Sequence, residues 1–247
     1  MRIIRSKRLC AYCGQPGAKE REHVIARQFV PPEQVYRKGL PKVPSCGPCN
    51  RRKQQVEDGP AVLFQFGDGG EASGRVLTEE VPKRLAGNRR LYTSLRRGLR
   101  KVSVRLLCGI VVPTLAIHLS PREINDCYYW LQFVTRGLYC FEFGVPLPVD
   151  HSVHLFWRKD TRFKMFCNLI LRDPNRQIRS CAGGEFQYAF AVNPIEWMSL
   201  WSYSFKSIRV LALTLSGASP ASTKSFIAKV EWPPPDEAQG PSALSTY

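Results

Sequence analysis

Acidic residues are scarce in this chain of 247 residues. Only 20 Asp and Glu stand against 36 Lys and Arg, which gives a formal net charge of +16. This surplus of positive charge favours an anionic partner, with nucleic acid first and an acidic membrane surface second. The simpler alternative is a soluble basic protein whose charge serves no specific partner.

Long apolar runs are also absent. The longest, residues 106–119, is interrupted by Gly109, Pro113 and His118, and it falls short of the ~20 residues that a membrane-spanning helix needs. The basic start, residues 1–10, lacks the apolar segment of a secretory signal. We therefore expect a cytoplasmic protein without a membrane partner.

Three common enzyme signatures are missing as well. The sequence contains no glycine-rich phosphate loop, no dinucleotide-binding fingerprint and no nucleophile elbow. A small-molecule enzyme therefore has no support from the sequence. A hydrophobic fraction of 44% is nevertheless ordinary for a folded protein, so most of the chain should have a core.

Four of the nine cysteines form two close pairs. Cys10 and Cys13, and Cys46 and Cys49, have the Cys-x-x-Cys spacing, and 32 residues separate the pairs. One pair alone would also suit a redox site, but two pairs predict a closed four-cysteine site for structural Zn²⁺. The other five are expected to be small buried residues in a reducing compartment. They are Cys108, Cys127, Cys140, Cys167 and Cys181.

The segment between the pairs predicts a small strand–strand–helix unit. Val24 and Ile25 indicate a short strand, and Lys42 and Val43 a returning one. A helix is expected over residues 50–57, ended by Asp58-Gly59-Pro60. Such a unit is too small to bury a core of its own, so a bound zinc ion would supply its folding energy.

These motifs resemble those of the His-Asn-His endonucleases, which have a ββα-metal core. The resemblance covers about residues 8–58 and is nearest to the zinc-bearing branch, because Glu22-His23 lies between the pairs and Asn50 directly follows the second. It implies that His23 is the general base. It also implies that Glu22 and Asn50 bind a catalytic divalent cation, Mg²⁺ or another.

The sequence departs from the family pattern in two ways. Glu22 stands where Asp is commoner, and no Asn lies between His23 and Cys49 to orient the base. A backbone carbonyl, Gln28 or Gln34 would have to orient the imidazole instead. The alternative is a noncatalytic zinc-knuckle protein that binds nucleic acid, in which His23 is a buried core residue.

Basic residues are concentrated in two places. The helix after Cys49 carries three, and residues 81–105 carry nine without an acidic residue. A helix with an apolar stripe and a basic face can lie along a phosphate backbone, although a solvated helix face has the same pattern. The predicted contacts to nucleic acid, with DNA expected, are Arg51, Arg52, Lys53, Arg89, Arg90, Arg96 and Arg97.

The remaining chain predicts an α+β fold with a mostly antiparallel sheet. The glycine-rich stretch 67–74 indicates a linker. We therefore expect a ββα-metal zinc domain over 1–66, an α+β domain of unknown role over 75–231 and a disordered tail over 232–247.

Several local features of the second predicted domain can be assigned. A buried strand pair is expected over 102–119, broken near Pro113, and strands over 153–158, 163–172, 185–192 and 207–215. Ser120-Pro121 with Glu123 predicts a capped helix that ends at Gly137. The strand aromatics suit a core better than a base-stacking platform. A homodimer is possible.

Overall fold

The structure is a computed structural model that describes residues 8–33, 37–66, 74–105, 108–158, 160–193, 198–206 and 208–217. The predicted linker, apart from Gly74, and the predicted tail lie outside these residues. In the described part of the chain, no helix is both long and apolar enough to cross a membrane.

Helices and β-strands occur in runs along the chain, as expected for an α+β fold. The helices are α1 (Gly47–Leu63), α2 (Val81–Gly87), α3 (Arg89–Gly98), α4 (Pro121–Phe143) and α5 (Thr161–Arg172). The strands are β1 (Glu20–His23), β2 (Lys42–Ser45), β3 (Leu99–Arg105), β4 (Val111–Ile117), β5 (Ser152–Trp157), β6 (Gln177–Cys181), β7 (Phe186–Asn193), β8 (Met198–Phe205) and β9 (Ile208–Leu215).

The strands form three antiparallel sheets. Two are hairpins, β1–β2 and β3–β4, and the third has five strands in the order β5-β9-β8-β7-β6. The prediction of an α+β fold with a mostly antiparallel sheet is confirmed at this level.

The five-stranded sheet is covered on both faces. On β9, Val210 and Ala212 belong to the central core with α4, whereas Leu211 and Leu213 face a second cluster with Phe166 of α5. This alternation follows from the two-residue period of a strand. Burial on both faces explains why β9 is apolar at nearly every position.

The central core joins the N-terminal segment to the later chain. The ring of Phe29 stacks on Trp130 with centroids 4.2 Å apart and contacts Phe205 edge to face at 5.8 Å. Phe64, just after α1, packs against the same two rings at 5.1 and 5.8 Å. Residues 8–66 therefore fold against α4 and the sheet, while the boundary between the two expected domains stays a prediction.

Helix α4 begins as predicted but is longer. The Ser120 and Glu123 capping box is present at its start. The helix passes through Gly137 and ends at Phe143, where Gly144 adopts a left-handed conformation with φ of 72°. Gly137 lies inside the helix, and because it has no side chain the helix can approach Val24 closely.

Two further predictions, one of a strand and one of a helix, were wrong. Residues 163–172 form part of α5 rather than a strand, because Phe163, Phe166 and Ile170 recur at helical spacing and cover one face of the sheet. The helix predicted over 50–57 runs from Gly47 to Leu63, straight through Pro60. Burial of the apolar residues that follow outweighs the helix-breaking tendency of Gly59 and Pro60.

Three strand predictions also need correction. The first strand ends at His23, so Val24 and Ile25 lie just beyond it, fully buried. Pro113 lies within β4, and the β3–β4 hairpin is largely exposed rather than buried. The strands β6 and β8 were not predicted. The described strand aromatics do form core, as expected, with Trp201 fully buried.

We predict that Gly137→Ala destabilises the protein by about 1–3 kcal/mol, the usual cost of overpacking. A Cβ there would lie 2.9 Å from both methyl carbons of Val24 and 3.4 Å from Tyr12 Cε1. The free energy of unfolding in urea measures the effect. Val24→Ala in the same chain should restore part of the loss.

Gly87→Ala is the matched control, because a Cβ at that helical position meets no atom within 4 Å. It should leave stability unchanged or raise it by about 0.4–1 kcal/mol. Equal unfolding midpoints for Gly137→Ala and the wild type would show that α4 does not pack closely on Val24.

Candidate metal centre

The first cysteine pair lies in a tight turn that is fastened to strand β2. The amide of Cys10 donates to the carbonyl of Gln15, and the amide of Gly14 donates to the carbonyl of Cys10, both at 2.9 Å. Gly14 has a φ of 70°, which glycine adopts at little cost. The amide of Ala11 donates to the carbonyl of Pro44 in β2 at 2.9 Å. The turn is thus held against the strand that leads to the second pair.

The second cysteine pair lies where strand β2 passes into helix α1. Cys46 is the N-cap residue of the helix and Cys49 lies in its first turn. The amide of Cys46 donates to the Sγ of Cys10 at 3.4 Å, so the two pairs meet directly. This bond orients the sulfur of Cys10 towards the helix start.

The four sulfurs of Cys10, Cys13, Cys46 and Cys49 lie within 4.8 Å of one another. The Sγ atoms of Cys13 and Cys46 are 3.8 Å apart, far beyond the ~2.05 Å of a disulfide. A tetrahedral zinc ion with Zn–S bonds of about 2.3 Å has sulfur–sulfur edges of about 3.8 Å. The four cysteines can therefore hold a structural metal ion such as zinc, as the sequence predicted.

The thiols of this cluster differ in acidity. The pKa of Cys10 lies at about 7, because hydrogen bonds from backbone amides, that of Cys46 first, outweigh the burial that opposes ionisation. Burial and the neighbouring sulfurs instead raise the pKa of Cys49. Four close thiolates repel one another, so a divalent cation is needed for all of them to ionise together.

A row of polar contacts joins strand β1 to helix α1 beside the sulfur cluster. Asn50 Nδ2 donates to Glu20 Oε2 at 2.6 Å, and Lys53 Nζ donates to Glu22 Oε1 at 3.0 Å. Lys53 also bonds Glu57 Oε2 at 2.8 Å, one turn further along the helix. Glu20 and Glu22 share one face of the strand because side chains alternate. The structure therefore brings Glu22 against Lys53, and Glu20 against Asn50.

Lys53 is the most buried member of this row. Its side chain is fully buried, and both of its partners are carboxylates. Burial raises the pKa of Glu57, while Lys53 acts in the opposite direction. Lys53 thus neutralises the two carboxylates inside the protein. Because it is fully buried, it has no exposed surface with which to contact a phosphate.

His23 ends strand β1 opposite Lys42 of β2. Its pKa is lowered, first by burial and then by the nearby charges of Lys42 and Arg27, so the ring is neutral at pH 7. Within the described residues no side chain or carbonyl makes a hydrogen bond to the ring, Gln28 included. Gln34, the other suggested partner, lies outside them.

Apart from Lys53, which is buried, the predicted nucleic-acid contacts fall into two exposed groups. Arg51 and Arg52 are exposed on α1, and the guanidinium of Arg52 lies 5.9 Å from the ring centre of Tyr129. The other four are exposed on α3, namely Arg89, Arg90, Arg96 and Arg97.

Glu20 was not singled out from the sequence, although its contact with Asn50 places it in the site. The signal was available, because Glu20 stands two residues before Glu22 and a strand directs both to one face. The strand was instead expected around Val24, which gave no reason to consider Glu20.

Comparison of the chain with family models, with curated proteins and with solved structures finds no match.

We predict that the purified protein carries about one zinc ion per chain and that Cys49→Ser removes it. The thermal unfolding temperature should fall by several degrees or more, because the metal holds the turn of the first pair to the start of α1. Metal analysis and a melting curve on the same samples measure both effects.

Cys108→Ser is the control, because Cys108 is exposed and lies outside the four-sulfur cluster. It should keep the metal and the melting temperature of the wild type. A wild-type protein that takes up no zinc from zinc-supplemented medium would contradict the assignment.

Proposed function

We propose that this protein is a metal-dependent endonuclease of the His-Asn-His type that hydrolyses phosphodiester bonds in nucleic acid, with DNA as the expected substrate. One observation carries the proposal. Strand β2 leads into helix α1 at the four-sulfur cluster. Glu22, next to His23 at the end of β1, contacts Lys53 of this helix, and Asn50 lies near the start of the helix.

In this proposal His23 takes a proton from the attacking water. Burial and the neighbouring cations lower its pKa, so the imidazole is neutral at pH 7 and can accept a proton. Lys42 and Arg27, whose charges act on His23, also make this edge of the hairpin attractive to a phosphate. Water and phosphodiester would therefore meet beside the base.

The side-chain oxygens of Glu22 on β1 and Asn50 on α1 suit a hard divalent cation. Glu22 and Asn50 would hold Mg²⁺ or a similar ion, which when bound stabilises negative charge on the scissile phosphate and the leaving oxygen. Among the described residues, Glu22 Oε2 accepts no hydrogen bond, because Lys53 bonds only Oε1. Asn50 would have to turn from Glu20, to which its amide nitrogen now donates.

The four-cysteine cluster would serve this site indirectly. Four sulfur ligands leave a zinc ion no open position for water or substrate, so its role is structural. Asn50 follows Cys49, and its backbone amide donates to the carbonyl of Cys46 at 3.0 Å. Fixing these two cysteines fixes the side chain that the catalytic cation would need.

A second function is favoured by the Lys53 contacts. An ammonium group already lies against Glu22, where a divalent cation would bind, and in the described residues His23 has no partner to orient it. Both features suit a zinc-stabilised protein that binds nucleic acid without cleaving it. The basic exposed residues of α1 and α3 would serve either function.

We predict that the wild type cleaves supercoiled plasmid with Mg²⁺ but not with EDTA, and that His23→Ala lowers the rate at least about a hundredfold, the usual contribution of a general base. His154→Gln is the control, because His154 lies on β5, away from the hairpin. Each protein is first checked for zinc content and melting temperature. If the wild type shifts plasmid on a gel but never cuts it, the binding function replaces the nuclease.

The two carboxylates of β1 can be separated by a further pair of variants. We predict that Glu22→Gln abolishes Mg²⁺-dependent cleavage, whereas Glu20→Gln changes the rate by less than about tenfold. The titration of activity against Mg²⁺ concentration measures the difference. Both variants remove one charge from the same strand face. A larger loss from Glu20→Gln would assign the cation to Glu20 and Asn50 instead.

A further inference from the structure

A basic cavity lies apart from the sulfur cluster, between helix α3, the start of β3 and the segment that joins β4 to α4. Its volume is about 670 Å³, within the range of roughly 300–1,000 Å³ of ligand pockets. Its nine lining residues include Arg89, Arg90, Arg97, Arg100, Gly98 and His118.

The cavity wall is built by close backbone packing. Gly98 ends α3, and a Cβ at this position would clash with the carbonyl group of His118. Its absence lets the two segments meet, and the amide of His118 donates to the carbonyl of Gly98 at 2.9 Å. Arg100 Nη1 donates to the carbonyls of Arg97 and Leu99 at 2.6 and 2.8 Å. These bonds fix the position of the Arg100 guanidinium at the cavity.

The cavity has a strong excess of positive charge. Four of its nine lining residues are arginines, and none is acidic. The nearest carboxylates are occupied, because Glu123 accepts from Ser94 and Ser120, and Asp126 lies 4.0 Å from Arg90. Within the described residues Arg89 and Arg97 form no ion pair. Their guanidinium groups are therefore available to an anion.

The chemistry of the lining selects a type of anion. The lining has no Phe, Tyr or Trp side chain and no large apolar one, and its one aromatic ring is the imidazole of His118. Guanidinium groups match phosphate oxygens through paired hydrogen bonds. A volume of this size exceeds what a single phosphate needs. The ligand should thus present several phosphates and be recognised mainly through them.

We propose that this cavity binds a run of adjacent phosphate groups through Arg89, Arg97 and Arg100. The run can belong to a nucleic-acid backbone or to a free oligophosphate. The first source rests on the proposed function, since the cavity would then anchor the strand that is cleaved at His23. The second does not depend on it.

The test compares two double variants that remove the same charge. Arg89→Gln/Arg97→Gln alters the cavity, and Lys101→Gln/Lys164→Gln alters two exposed lysines outside it. Binding of a labelled oligonucleotide is measured by fluorescence anisotropy in EDTA, so that no cleavage occurs. We expect the cavity variant to bind the oligonucleotide at least about tenfold more weakly than the wild type. The slope of log K against log salt concentration should become shallower by about two, because two phosphate contacts are lost. The lysine variant should stay within about twofold of the wild type.

A third variant, Arg89→Lys/Arg97→Lys, keeps the charge but removes the planar guanidinium group. Its affinity for the oligonucleotide should lie between those of the cavity variant and the lysine variant. All variants are first compared by melting temperature and zinc content. Equal losses in the two glutamine variants, or none in either, would overturn the proposal and leave only a diffuse basic surface.

The source of the phosphates is decided by two further probes. Inorganic triphosphate that displaces the oligonucleotide from the wild type, but not from the cavity variant, identifies a free oligophosphate as a ligand. An oligonucleotide with uncharged methylphosphonate linkages should lose binding if the backbone is the ligand. Because cleavage is absent in EDTA, a protein that proves not to be a nuclease still gives a clear result for the cavity.

Discussion

The close approach of four cysteine sulfurs is the constraint on which the N-terminal part of this structure depends. Strand β2 ends and helix α1 begins around Cys46, so this junction is fixed only if its sulfur and that of Cys49 are held. The first pair reaches them from a turn that already hydrogen-bonds β2. A metal ion would thus join the turn of the first pair, the end of β2 and the start of α1. The orientation of Asn50 towards β1 follows from this junction.

The metal cluster alone does not explain why the hairpin and helix are stable, because their apolar side packs on the rest of the chain. Phe29 and Phe64 are buried against Trp130 and Phe205, so α4 and the sheet supply the core that residues 8–66 lack. Each fully buried aromatic side chain contributes about 1.5–3 kcal/mol. Glu22 and His23, whose side chains alternate along β1, are only partly buried. The fold of residues 8–66 therefore depends on this packing as well as on the cysteine cluster.

Signals that act over a few residues predicted much of this structure. The cysteine pairs, the capping box at Ser120 and the returning strand at Lys42 each depend on neighbours in sequence. Predictions failed where distant burial decides the outcome, as at Pro60, which stays helical because the residues around it are buried. The helical spacing of Phe163, Phe166 and Ile170 was present, but an apolar run suited a strand equally well. The contact of Glu20 with Asn50 and the meeting of Gly98 with His118 need the fold itself.

Lys53 links the two functions that this site could serve. Its ammonium group is fully buried between Glu22 and Glu57, and a buried charge that loses its partners costs several kcal/mol. If a divalent cation takes Oε2 of Glu22, Lys53 can keep both of its bonds, and the ion pair then orients the carboxylate for the metal. If the cation needs both oxygens of Glu22, Lys53 keeps only its bond to Glu57. The loss of the Lys53–Glu22 ion pair then opposes metal binding. The geometry of one carboxylate therefore determines whether Lys53 supports catalysis or substitutes for the metal in a protein that only binds.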